Sequence, residues 1–389
     1  MGSLMSNLSK IKNLVSRRIT LLGAGPMSKF SIDAIIELSN FYELPIAMIP
    51  SRRQIECREL GGGYVENWTT EDFAKYVKSN DAGGNVLLSR DHCGPWQLEQ
   101  VNKDGIPNSL EEEMRLVKIS IEADIKSGFD LIHIDPSLGF RHGLTKTEVR
   151  EIVYELIDFC ESIKSSEILY EIGTEEQVYS SSEDVESELN TILKDLERKS
   201  LPAPVFYVHQ TGTKVVERRN VGNFDNPLDS KGYLPASYNL PRVTKLCELN
   251  GVWLKEHNAD YMTNKALAWH PRFGIHAANV APEFGYIETQ TLINLAKISS
   301  SDDLIELMLD KVNSLGKWKK WMLKESESDE FEKMLIAGHY HFSEDWHLAW
   351  REELRLRLNR IDIDLDKFIY DEVRKSIDRY LKCFGYASK

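Results

Sequence analysis

The stretch NVLLSRDHCGPW, residues 85–96, runs from an apolar segment into Asp91, His92 and Cys93, then breaks at Gly94-Pro95. An acid and an imidazole are expensive to bury unpaired. Gly-Pro stops a strand and begins a loop. Either these polar residues face water at an ordinary strand end, or they belong to a site at the carboxyl end of a barrel strand. The organisation of the remaining chain decides between the two.

Seven other short runs have the same character: ITLLGAG (19–25), LPIAMIP (44–50), FDLIHID (129–135), EILYEIG (167–173), PVFYVHQ (204–210), GVWLKEH (251–257) and FGIHAAN (273–279). Helical patterns lie between most of them. SLEEEMRLVKISIEADIKSG (109–128) opens on a Ser cap, carries Glu in its first turn and ends at Gly. TKTEVREIVYELIDFCESI (145–163) and SEDVESELNTILKDLERK (182–199) read in the same way. Eight strand-then-helix units in about 290 residues predict a (β/α)8 TIM barrel over residues 1–300. The alternative is a doubly wound open sheet, which usually has fewer strands and a Gly-rich first turn. GAGPMS (23–28) imitates that turn only weakly, and no acid ends the second strand. From about residue 300 no further strand pattern appears. Residues 301–389 are expected to be a helical C-terminal extension packed on the barrel.

With 389 residues, 42% apolar and 28% charged, the chain has an ordinary globular composition. Its net charge of −13 argues against a general nucleic-acid binder and against an anionic membrane surface as partner. The five cysteines form no CxxC pair, which fits a reducing compartment and argues against a disulfide framework. No signal peptide or 18-residue apolar run is present, so the expected location is cytoplasmic. No GxSxG or GxxxxGK[ST] motif occurs, which argues against a serine hydrolase or a P-loop kinase.

In a barrel the chemistry sits where strands meet the loops that follow them. Here those ends carry Asp91-His92, His133 with Asp135, Glu171 with Glu175, His209-Gln210, Glu256-His257 with Asp260, and His276 with Asn279. A single strand-end histidine is most simply a hydrogen-bonded structural residue, and His339, His341 and His347 in the tail are read that way. Three histidines on separate strands, His92, His209 and His257, with carboxylates nearby, supply instead the donor set of a metal site with an open position. Asp91 would then be a proton carrier beside it.

The run RDHCGPW resembles the third-strand DHLGP of the accessory-subunit family of tagatose-bisphosphate aldolase, a branch of the class II, metal-dependent aldolase superfamily. GGGYVENWTTEDF (61–73), IHIDPS (132–137), YEIGTE (170–175), QTGT (210–213), KEHNADY (255–261), WKKW (318–321) and FSED (342–345) agree with that family in the same order, over most of the chain. The resemblance implies a (β/α)8 barrel with a helical tail. It also implies either a lyase that works through an enediolate with a divalent metal, usually Zn2+, or a non-catalytic subunit that stabilises a class II aldolase. A sugar isomerase or epimerase on the same barrel is a further alternative, because an enediolate can be reprotonated instead of split.

By the same resemblance, Asp91 matches the proton-transfer residue, and His92 and His257 match metal ligands. Glu171 matches a ligand or a carboxylate behind one, and Asn279 matches the enediolate partner. The sixth-strand histidine of the catalytic class II cousins is replaced by Val215, leaving His209 upstream as the nearest imidazole. The cousins' Gly-Ser phosphate cradle is absent, and Asp260 lies in its place. The expected machinery is therefore Asp91, Glu175 and Asn279 as catalytic residues, with the metal on His92, His257, His209 and Glu171. His133, Asp135, Gln210, Asp260, His276, Arg52 and Lys214 are expected to contact a sugar or sugar phosphate, in a homo-oligomer.

Overall fold

The computed structural model describes residues 6–98, 105–173, 182–209, 215–220, 240–322 and 326–387. The barrel strands are β1 (Leu21–Ala24), β2 (Ile46–Met48), β3 (Val86–Cys93), β4 (Leu131–Ile134), β5 (Leu169–Gly173) and β6 (Phe206–Val208). A hairpin of β7 (Val215–Val216) and β8 (Arg219–Asn220) follows, and β9 (Trp253–Glu256) and β10 (Ala277–Val280) complete the barrel. The eight barrel strands are parallel and close in the order β1-β10-β9-β6-β5-β4-β3-β2. Every apolar run singled out in the sequence overlaps one of them. The fold is a (β/α)8 TIM barrel with C-terminal helices.

The helices form where the caps predict. Ser109 accepts from Glu112 N at the head of Leu110–Ser127, and Gly128 ends that helix in the left-handed region at φ 75. Thr145 and Glu148 form a reciprocal capping box for Lys146–Ile163. The helix Asn7–Ser16 lies under the amino-terminal end of the barrel. There Asn7 donates to Asp130 just before β4, and Lys10 donates to Gly84 just before β3.

Beyond Ser301 the described residues form helices and turns without a strand. Leu365–Cys383 packs between the helices Lys29–Tyr42 and Pro282–Ile298, and so closes the seam between the first and last barrel units. Tyr386 behind it donates to Pro45 O at 2.7 Å. Within the expected helical extension, the stretch 338–361 is divided. Gly338–His341 is a 3-10 turn, and the helix proper is Asp345–Asn359. The turn crosses the helix Pro282–Ile298 at very short range. A Cβ on Gly338 would lie 2.5 Å from Thr289, and one on Gly285 would lie 2.7 Å from His339. Two glycines facing across one crossing fix that approach, and a continuing α-helix would lose it. All five cysteines are unpaired. No helix among the described residues is long and apolar enough to cross a membrane.

Candidate active site

The end of β3 answers the question its sequence raises. Adjacent residues of a regular strand point to opposite faces, yet Asp91 and His92 both reach the barrel mouth. The β3–β4 register shifts between Arg90 and Cys93, and His92 takes a left-handed φ of 50. This bulge re-aims the two side chains together. Arg90 before it points outward, and its guanidinium binds Asp124 at 2.5 and 2.8 Å, fully buried. Cys93 after it is buried, and burial pushes its thiol far above the ordinary range, so it is an inert packing group. Gly94 is required because a Cβ there would lie 1.8 Å from the Asp135 carbonyl oxygen.

Asp91, His92, His133 and His257 each contribute a ligand atom to a group lying within 4.8 Å of one another. The three imidazole rings form a triangle with centroids 5.1–5.5 Å apart. Asn279 closes it, with Nδ2 3.3 Å from Asp91 Oδ1 and 3.2 Å from His257 Nε2. Asn279 lies against Gly23 of β1, where a Cβ would sit 2.1 Å from its Oδ1. Glu171 adjoins His257 and His133. Its Oε1 is 3.2 Å from His257 Nε2 and 3.7 Å from His133 Nδ1, and its Oε2 is 2.6 Å from Lys255 Nζ. Asp135 Oδ2 faces His92 Nδ1 at 2.7 Å and Gln97 Nε2 at 2.8 Å, while Oδ1 accepts from Ser137 N.

Burial alone would raise these carboxyls. For Asp91 the charges of His92 and His257 and the His133 contact outweigh burial and hold it well below the usual range. For Glu171 the Lys255 ammonium, His133 and His257 overcome burial and bring it to about 2. The site is therefore a set of ionised carboxylates interleaved with imidazoles. It opens into a cavity of about 430 Å3. The tail contributes Lys320, Trp321 and Tyr340 to the wall, and Arg53 and Arg141 line it from the loops after β2 and β4.

Other expected members lie elsewhere. His276 precedes β10 and lies at the barrel end opposite Asn279, with Nδ1 accepting from Leu254 N. Three residues of strand, about 10 Å, separate the two. His209 ends β6 and is buried, and burial lowers its pKa to about 4; it is not in the four-residue group. Arg52 lines the cavity, but it is buried and its guanidinium is directed at Glu56, Ser120 and two backbone carbonyls. Asp260 lines the cavity, but its Oδ1 accepts from Ala281 N and Glu283 N, which caps the helix Pro282–Ile298. Glu175, Gln210 and Lys214 lie outside the described residues. The sequence reading missed Lys255. Its signal is a lysine two residues before His257, hence on the same strand face, inside an otherwise apolar run.

The donor set suits a divalent transition metal: imidazoles and one carboxylate converge, and His133 Nε2 and Asn279 Oδ1 are buried without a partner among the described residues.

No protein-family model matches the chain, and no curated protein matches it. Solved structures resemble it in fold. One, named as a probable tagatose 6 phosphate kinase from Sinorhizobium meliloti, superposes with a TM-score of 0.73 at 18% identity, over 94% of this chain and 100% of that one. The YdjI aldolase from Escherichia coli K12 gives 0.53 at 13% identity, over 97% and 96%. The fructose-bisphosphate aldolase from Campylobacter jejuni gives 0.52 at 11% identity, over 98% and 96%. At such identities the likeness is one of fold alone: the closed eight-stranded barrel.

Proposed function

We propose that this protein is a metal-dependent, class II aldolase-type lyase acting on a sugar or sugar phosphate. The observation that carries the reading is the convergence of Asp91, His92, His133 and His257 beneath a cavity at the carboxyl end of the strands. His92, His133 and His257 would hold the metal, with Zn2+ the ion best matched to three imidazoles. When bound, the metal supplies Lewis-acid polarisation of a substrate carbonyl.

The chain's own residues do the rest. Asp91, ionised and in reach of the cavity, takes the proton from the substrate hydroxyl as the carbon–carbon bond breaks, and returns it in the reverse direction. Asn279 Oδ1 offers a buried acceptor to a substrate hydroxyl. Asp135 fixes the His92 ring through Nδ1. Arg53, Arg141 and Lys320 line the same cavity and suit an anionic substituent such as a phosphate. Residues 301–389 are read as an extension that completes the pocket wall through Lys320, Trp321 and Tyr340.

A second reading, a non-catalytic subunit of a class II aldolase, is favoured by one observation. Asp260, where the resemblance would place a phosphate cradle, is committed to capping a helix. Incubation of the metal-loaded protein in D2O with dihydroxyacetone, its phosphate and other small ketoses separates the readings by NMR. A lyase or isomerase incorporates deuterium beside the carbonyl, and added aldehydes then distinguish bond formation from isomerisation. No exchange across the panel, together with co-purification with a class II aldolase, leaves the subunit reading standing.

A further inference from the structure

Lys255 is 3% exposed and stands inside the barrel, one turn of the strand pleat below His257. Its Nζ lies 2.6 Å from Glu171 Oε2, and Glu171 is fully buried. The centroid of the Phe206 ring is 6.0 Å from the ammonium. Barrel interiors are normally filled by branched apolar side chains. Replacing a buried ion pair by apolar groups is often neutral or stabilising. Stability therefore does not account for this pair, and its position does.

Among the described residues, Glu171 is the carboxylate that bridges the cluster and the lysine. Its Oε1 approaches His257 Nε2 and His133 Nδ1, at 3.2 and 3.7 Å, and its Oε2 is held by Lys255. A carboxylate this close to two imidazole ligands would compete for the metal they hold. We propose that Lys255 is a positioning residue: its ammonium holds Glu171 back as an outer partner of His133 and His257 and keeps it from becoming a metal ligand, which preserves an open position for substrate. The inference rests on the metal site proposed above.

The full-length protein titrated with Co2+ tests it, because the visible bands of Co2+ weaken as its coordination number rises, and chelator competition gives its affinity. Changes behind a metal's ligands move affinity by about 10–100-fold. Lys255→Met releases Glu171 and is expected to bind Co2+ about tenfold more tightly, with weakened bands. Lys255→Arg keeps a cation on Glu171 and is expected to match the wild type. Glu171→Gln keeps the side chain's shape, serves if Lys255→Met does not fold, and is expected to keep the wild-type spectrum. Co2+ binding by Lys255→Met that is equal to or weaker than wild type overturns the inference, as does loss of Co2+ binding in Glu171→Gln. A wild-type protein that binds no Co2+ overturns the metal reading itself, and this inference with it.

Discussion

His92 Nδ1 and Asp135 Oδ2 are 2.7 Å apart, and that pairing turns the opposite ring nitrogen, Nε2, toward Asp91 at 3.5 Å. A carboxylate on one imidazole nitrogen fixes the tautomer and raises the basicity of the other. Asp135→Asn should therefore lower Zn2+ affinity by about 10–100-fold while the protein stays folded. Chelator competition measures it. Unchanged affinity would mean that His92 does not bind the metal through a ring fixed by Asp135.

Gly94 sets the distance between the ends of β3 and β4. An added Cβ would meet the Asp135 carbonyl oxygen at 1.8 Å, a backbone atom with nowhere to retreat. Gly94→Ala should destabilise the protein by about 1–3 kcal/mol, as overpacking does, and should weaken metal binding because Asp135 moves with its carbonyl. Urea denaturation and a metal titration on one preparation check both. A stable variant with weak metal binding would place the strain at the site alone.

The barrel is legible in the sequence because each strand is a short apolar run and each helix carries its own caps, as at Ser109 and Thr145. The site is legible only in part. Asp91, His92, His257 and Asn279 announce themselves at strand ends. The bulge that lets Asp91 and His92 act together does not, because period-two alternation carries no mark of an inserted residue. His133 lies within β4, so its place among the imidazoles depends on how strands three and four are staggered. His276 reads as a strand end only if β10 begins near residue 273. It begins at Ala277, so the histidine falls at the opposite mouth. Lys255 is hidden by the assumption that a charge in an apolar run points outward.

Asp91→Asn keeps the side chain's shape and its neighbours but cannot carry a proton. Turnover should fall by about 10²–10⁴-fold, and deuterium exchange beside the carbonyl should vanish with it. Metal content should stay near that of the wild type, since the three imidazoles remain. Activity within threefold of wild type would identify Asp91 as a strand-end residue without a part in proton transfer.

The contact between the last barrel helix and the helical tail imposes a pH dependence of its own. Glu288, on the helix Pro282–Ile298, is fully buried, with Oε2 2.5 Å from Ser28 Oγ and Oε1 3.9 Å from an Arg351 nitrogen. Burial raises its carboxyl, Arg351 and Ser28 oppose this without overcoming it, and the group reaches about 7 against an ordinary 4.5. Between those values the folded protein holds a proton that the unfolded chain has released. Stability therefore falls as pH rises through that window, and above about 7 the full penalty of the buried charge is present. Glu288→Gln removes the titration and retains a partner for Ser28. It should be more stable than wild type at pH 8 by up to about 3 kcal/mol, because each tenfold change in proton affinity is worth roughly 1.4 kcal/mol. The advantage should shrink toward zero below pH 4.5, where the wild-type carboxyl is protonated in both states. Urea denaturation of the two proteins across this range gives the difference directly. A gain independent of pH would trace it to packing, and a loss at pH 8 would show that Arg351 needs the charge more than burial penalises it.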